Sequence, residues 1–219
     1  GCGVAASANT MDKSLTKKVV EGTGVRQARY YLALACDFAC NPEGVVRTAA
    51  EQLGSFPVFV KPCSQGSSVG VAKATNMTEL AEGLTEAFKM DSKVLVEEFI
   101  DGHEVECAVL GNERPQASTV GEIAPTQEFY TFDAKYKDES SRLYIPAHIT
   151  PEQLETVRQD ALRVYTALGC RGLSRVDFFV THDGGEVVFN ELNAIPGFTS
   201  ISMYPKLFDY EGILRAENR

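Results

Sequence analysis

Two carboxylates, a carboxamide and a guanidinium sit at matched spacing near the end of the chain, where Arg175-Val176-Asp177 and Glu191-Leu192-Asn193 flank the turn sequence His182-Asp183-Gly184-Gly185. Runs of Val, Leu and Phe on both sides read as strands, so the segment predicts a β-hairpin. A loop of Asp183, Gly184 and Gly185, with a glycine at positive φ, pairs His182 with Glu186. That register sets Asp177 opposite Glu191 and Arg175 opposite Asn193, and the two-residue period of a strand puts all four on one face. Oxygen donors gathered this way suit a hard divalent cation that keeps positions open for phosphate. The competing reading is a solvated hairpin face with charge pairs, and a slip of one residue in register would disperse the group.

Two further stretches carry chemistry. KPCSQGSSVG (Lys61 to Gly70) places a lysine at a strand end, followed by Gly66, Gly70 and the hydroxyls of Ser64, Ser67 and Ser68. Backbone amides and hydroxyls there can wrap phosphate oxygens while Lys61 adds charge. The element that follows is a strand, which excludes a Walker loop and a dinucleotide fingerprint, and a simple hairpin turn is the alternative. In VLVEEFIDGHEV, Glu97, Glu98, Phe99 and Ile100 lead into a turn at Asp101 and Gly102. Such a segment can offer amide and carbonyl groups to an adenine edge with apolar cover, leaving Glu104 for a ribose hydroxyl; an ordinary strand with solvated acids competes.

The elements that must position these groups are readable. Helices are predicted over 13–21 (closed by Gly22), 42–53 (Pro42 first, Gly54 after), 77–89 (capped by Asn76) and 151–168, the clearest amphipathic stretch. Strands are predicted over 28–34, 58–61, 69–74, 94–99 and 103–110. Residues 121–146 form a long polar segment with little periodicity, a length usual for functional loops. The 219 residues, 44% hydrophobic and 23% charged, suffice for one large domain or two small ones. No apolar run reaches the roughly 20 residues of a membrane helix, and the first residues lack the basic and apolar regions of a signal peptide, so a cytoplasmic protein is expected. A net charge of −9 argues against nucleic-acid partners and for small ligands. Six scattered cysteines without a CxxC pair and three histidines indicate neither a zinc site nor a disulfide framework.

Taken together, GCGVAASA followed by MDK, then KPCSQGSSVG, AKY, SRVD and NELNAIPGFTSISMYP resemble, in order, the signatures of the ATP-grasp superfamily and, within it, the D-alanine–D-alanine ligases. The resemblance implies an α+β ATP-grasp fold of two lobes gripping ATP. It divides the chain into a connecting segment (1–25), a central lobe (26–105) and a C-terminal lobe (106–219) with a lid over about 121–146. It implies ATP and two Mg2+ (or Mn2+), and ligation of two D-alanines through a D-alanyl phosphate for peptidoglycan precursors. D-alanine–D-serine or D-alanine–D-lactate ligation, and a nucleotide-binding module without ligase chemistry, are the alternatives.

By the same resemblance Lys13, Lys61 and Lys135 meet nucleotide phosphates, and Glu97, Phe99, Ile100 and Glu104 surround adenine and ribose. Asp177, Glu191 and Asn193 hold the metal ions, Arg175 faces the oxyanion of the tetrahedral intermediate, and Gly197, Ser202 and Met203 receive the second D-alanine. Ser67 and Tyr136 match a hydrogen-bonded pair that positions substrate. The family's N-terminal domain, which completes the first D-alanine site, and its closing C-terminal helix have no counterpart in these residues; the full-length family protein is expected to be a homodimer.

Overall fold

The computed structural model describes residues 1–124 and 142–213. By contacts the chain falls into two units: residues 11–15 with 28–100, and residues 1–10 and 16–27 with 101–219.

The first unit is built on a four-stranded antiparallel sheet in the order β1-β4-β2-β3, from β1 (Tyr30–Leu34), β2 (Val58–Pro62), β3 (Ala72–Ala74) and β4 (Lys93–Glu98). Alternation along β2 turns Val58 and Val60 into the core and leaves Phe59 and Lys61 half-buried on the other face. The core is closed by α4 (Pro42–Leu53) through Val45, Val46, Ala49 and Leu53, and by α5 (Met77–Ala87) through Leu80 and Leu84. Both helices start where a side chain replaces the missing intrahelical acceptor: Asn41 accepts from the Gly44 amide and Asn76 from the Glu79 amide, each at 3.0 Å. Gly54, at φ 76°, ends α4 in the left-handed region that a side chain would disfavour. A short α3 (Ala35–Cys40) precedes α4.

The second unit holds a five-stranded antiparallel sheet ordered β7-β6-β5-β8-β9, from β5 (Gly102–Gly111), β6 (Gln116–Ala124), β7 (Arg142–Tyr144), β8 (Gly172–Thr181) and β9 (Val187–Asn193). On one face α6 (Pro151–Ala167) packs Val157, Ala161, Val164 and Tyr165 against Val105, Cys107, Val176 and Phe178. Its start is a full capping box between Thr150 and Gln153 with Pro151 in the first turn. On the other face α7 (Met203–Tyr210) packs Met203, Tyr204, Leu207 and Phe208 against Ala108. The remaining helices are α1 (Val4–Met11) and α2 (Lys13–Glu21).

Helices α2 and α4 keep their expected bounds, and α5, α6, β1, β2, β4 and β5 agree within a few residues. The differences are informative. The strand expected from 69 begins only at Ala72, because Ser67, Ser68 and Gly70 all take positive φ (52°, 59° and 73°) and hold the glycine loop in a turn. Helices α1, α3 and α7 were not expected. Residues 1–25, read as a connecting segment, place Ala6, Val20 and Val25 in the second unit's core, and the whole of β5 belongs to that unit, so the contact boundary falls after Ile100. The segment read as a loop over 121–146 begins as strand, with β6 running to Ala124, and resumes as strand in β7. All six cysteines are free, with Cys63, Cys107 and Cys170 buried. Among the described residues no helix is long and apolar enough to cross a membrane.

Candidate active site

The β8–β9 hairpin sets Asp177 opposite Glu191 and Arg175 opposite Asn193, as the spacing requires, but by a different route. The Thr181 amide donates to the Glu186 carbonyl at 3.0 Å, so the loop is the four residues 182–185 rather than three. Near the turn Val180 pairs with Val187, Phe179 with Val188 and Phe178 with Phe189, one residue out of phase with the expected register. A β-bulge between Asp177 and Phe178, at which Asn190 is the extra residue, restores the phase. Phe189 and Leu192 thereby both reach the core, and Glu191 and Asn193 reach the opposite face.

Strand β5 adds a residue that the sequence reading missed. Pairing of β5 with β8 sets Glu106 opposite Asp177, so Glu106 joins the cluster from the other side of β8. Nothing local marks it, because 60 residues of intervening chain separate β5 from β8. Arg175 Nε donates to Asp177 Oδ1 at 2.8 Å and Nη2 to Asp177 Oδ2 at 2.7 Å; Nε lies 3.2 Å from Glu106 Oε2. Asn193 Nδ2 donates to Asp177 Oδ2 at 3.0 Å and to Glu191 Oε1 at 3.4 Å. Asp177 and Glu106 are buried.

Burial would weaken the charge of Arg175, yet Asp177, Glu106 and Glu191 together hold it firmly cationic. For Asp177 burial dominates: its pKa is raised despite Arg175, with the charges of Glu191 and Glu104 adding to the rise. A carboxylate in that condition is stabilised by any additional cation.

The donor set fits a divalent cation. The Asn193 NH2 group lies against both Asp177 and Glu191, where it supplies positive hydrogens to two carboxylates at once. Turning the carboxamide over would replace those hydrogens with its oxygen, giving three oxygen ligands around one point. Among the described residues no three His, Cys, Asp or Glu side chains are gathered for a metal, so the carboxamide is a necessary part of this set.

In the other unit, the candidate nucleotide residues are tied to one another. Lys61 Nζ pairs with Glu97 Oε2 at 2.6 Å and lies 5.8 Å from the Phe59 ring. Phe59 and Phe99 have centroids 6.0 Å apart, and Lys73, not singled out by the sequence, lies 4.7 Å from the Phe99 ring. Lys13 is fixed on the glycine loop: its amide donates to the Cys63 carbonyl at 3.0 Å and its Nζ to the Gln65 carbonyl. Asp12, ion-paired with Lys93, accepts from the Ser14 amide at 2.9 Å and so starts the helix that carries Lys13. Ser67 sits exposed on this loop at φ 52°, a strained conformation for a residue with a side chain.

The sequence after β9 forms a tight substructure. Ser202 Oγ accepts from the Thr199 amide at 3.1 Å and lies 2.9 Å from Thr199 Oγ1. A Cβ on Gly197 would stand 2.8 Å from that Ser202 hydroxyl and force it to move. The side chain of Met203 is buried in the core with Leu207, which leaves its backbone amide at the start of α7 as the group available to a ligand. Glu104 lies on the same strand face as Glu106. Lys135 and Tyr136, and with them most of the expected lid, lie outside the described residues.

On the sheet face that carries His103, the three histidines line one pocket of about 360 Å3 with Gln153, Gly184 and Gly185. Glu122 bridges two of them, with Oε1 2.7 Å from His103 Nδ1 and Oε2 3.0 Å from His148 Nδ1, and it also accepts from the His148 amide at 2.9 Å.

Comparison with known proteins places these features in a family. Residues 19–217 match the family model described as "D-ala D-ala ligase C-terminus". The D-alanine–D-alanine ligases of Clostridium novyi and Acetivibrio thermocellus are 50% and 52% identical over 97% of this chain. The chain spans 62% and 56% of their lengths. Among solved structures, the VanG D-Ala:D-Ser ligase of Enterococcus faecalis superposes with a TM-score of 0.84 at 39% identity, covering 96% of this chain and 60% of that one. The D-alanyl-alanine synthetase A of Vibrio cholerae gives 0.85 at 32% identity, covering 97% and 63%.

Proposed function

This chain belongs to the D-ala D-ala ligase C-terminus family, and from that membership we propose that it is the nucleotide- and metal-binding part of an ATP-dependent ligase. The α+β architecture is that of the ATP-grasp ligases. The reaction is the joining of two D-alanines for peptidoglycan precursors in the cytoplasm. One D-alanine carboxylate takes the γ-phosphoryl group of ATP and releases ADP. The amine of a second D-alanine then attacks the acyl carbon, and phosphate leaves as the peptide bond forms.

The observation that carries the reading is the constellation of Arg175, buried Asp177, Glu191 and Asn193 on one sheet face. Asp177, Glu191 and the Asn193 carboxamide oxygen would hold Mg2+ or Mn2+, which neutralises charge on the transferring phosphate. Arg175, cationic and fixed, stabilises the oxyanion that forms when the amine attacks. Lys13 and Lys61 bind nucleotide phosphates beside the amides of the glycine loop, with Lys135 at the transferred phosphate. Glu97, Phe99 and Ile100 serve the adenine and Glu104 the ribose. Ser202 and the Met203 amide meet the carboxylate of the second D-alanine across the space that Gly197 leaves open. Ser67 and Tyr136 position substrate, and closure of the segment that carries Tyr136 protects the acyl phosphate from water. An N-terminal domain outside these residues completes the first D-alanine site, and the full-length protein acts as a homodimer.

The test is calorimetric titration of ATP with Mg2+ into this chain and into an Asp177→Ala/Glu191→Ala double variant, followed by phosphate release with D-alanine. Mg2+-dependent binding that disappears in the variant is expected. A folded wild-type chain that binds no nucleotide would overturn the reading. The likeness to the Enterococcus D-Ala:D-Ser ligase favours D-serine as the second reading for the acceptor, so the same assay is run with D-alanine plus D-serine.

A further inference from the structure

We propose that Glu106 is the positioning residue that holds Arg175 in place when a divalent cation claims Asp177, an inference that rests on the reading of this cluster as the metal and acyl-transfer site.

In the structure Arg175 and Asp177 satisfy each other. Both Asp177 oxygens accept from the guanidinium, and Oδ2 accepts a second hydrogen bond from Asn193, which fills the two lone pairs of that oxygen. A cation that takes Oδ2 must displace at least one of these donors. A cation and a guanidinium on the same buried carboxylate also repel each other. Metal binding therefore loosens the hold of Asp177 on Arg175 at the step where Arg175 has to be fixed.

Glu106 is built for that moment. It projects from β5, the neighbour of β8 on the side away from β9, directly opposite Asp177. It is 3% exposed, and Arg175 Nε already lies between its Oε2 at 3.2 Å and Asp177 Oδ1 at 2.8 Å. The guanidinium can shift its weight from one carboxylate to the other without leaving the cluster or losing a buried counter-charge. Without Glu106, Arg175 keeps Asp177 as its nearest anion and competes with the cation for it. The carboxylate thus acts through Arg175, as an outer-shell partner that lets one side chain serve the metal and another serve the oxyanion.

The experiment is Mn2+ binding by this chain without nucleotide, followed by the EPR signal of free Mn2+. It compares wild type with Glu106→Gln, Glu106→Asp, Arg175→Gln and Glu106→Gln/Arg175→Gln, each checked for folding by circular dichroism. Glu106→Gln is expected to weaken Mn2+ by about tenfold, the usual scale for an outer-shell partner, and Glu106→Asp to recover part of the loss. In the Arg175→Gln background the same change is expected to alter affinity by about twofold or less, because no guanidinium remains to compete. Equal affinity of Glu106→Gln and wild type would overturn the inference alone. An equal loss in both backgrounds would also overturn it, because Glu106 would then act on the cation directly. Wild-type chain that binds no Mn2+ would overturn the reading of the site and the inference with it. Should Glu106→Gln fail to fold, Glu106→Asp makes the same comparison, with weakening expected only while Arg175 is present.

Discussion

At the scale of single residues, the informative contact is the Asn193 carboxamide, whose NH2 group lies between two carboxylates and does in part what a cation would do. Replacing it by a carboxylate removes those donors and adds a third negative charge. Asn193→Asp is therefore expected to lower stability by about 1–3 kcal/mol without divalent cation and to regain most of it with Mg2+. The thermal midpoint measured with and without MgCl2 checks this. A variant as stable as wild type in chelator would show that the amide bridge contributes nothing. The same cluster shows what a residue list can reveal. Arg175, Asp177, Glu191 and Asn193 were legible because a hairpin is local, although their pairing came out as expected only because the four-residue loop and the bulge at Asn190 offset each other. Glu106 was not, since only the β5–β8 pairing brings it there.

At the scale of elements, Glu122 joins parts of the second unit that are distant in sequence: His103 on β5, and both the ring and the amide of His148 ahead of α6. Burial pushes the Glu122 carboxyl up, but the hydrogen bonds from the His148 amide and from His103, with the charges of both histidines, outweigh it and hold its pKa below the ordinary value. A depressed carboxylate pKa stabilises the fold above the unfolded value, and the contribution is lost as pH falls through the folded one. Wild type should therefore lose more stability than Glu122→Gln as pH drops below about 4.3. Urea unfolding at pH 6 and at pH 3.5 tests it, and parallel losses in the two proteins would sink the claim. Elements with a strong local signature were readable: Pro42 and Gly54 bracket α4, and the apolar spacing of Leu154, Val157, Ala161, Leu162 and Tyr165 announces α6. Helix α7 was hidden because its apolar face, Met203, Tyr204, Leu207 and Phe208, follows an irregular stretch without a capping side chain. Helix α1, rich in Ala, Ser, Asn and Thr, has too little apolar contrast to declare itself.

At the scale of the whole molecule, each unit has its own core: Val46, Leu80, Leu84 and Val96 in one, Val105, Tyr165, Phe178 and Phe189 in the other. Leu84→Ala should cost about 2–5 kcal/mol, and the loss should be confined to the unit that holds Leu84. Native-state hydrogen exchange is expected to accelerate in β1, β2 and β4 while β5 and β8 keep their protection. Uniform acceleration across both sheets would mean that the two cores unfold as one. The bulge in β9 also decides which changes of length the strand tolerates. Deleting Asn190 would leave Phe189 and Leu192 inward and Glu191 and Asn193 outward, because ordinary alternation then gives the same order. Inserting one residue beside Phe189 would keep the same faces but slide Glu191 opposite Arg175 and Asn193 opposite Leu173, so the pairing of Glu191 with Asp177 would be lost. The strand is therefore open to shortening and closed to lengthening at one point, and a single added residue would separate the acids as surely as replacing one of them.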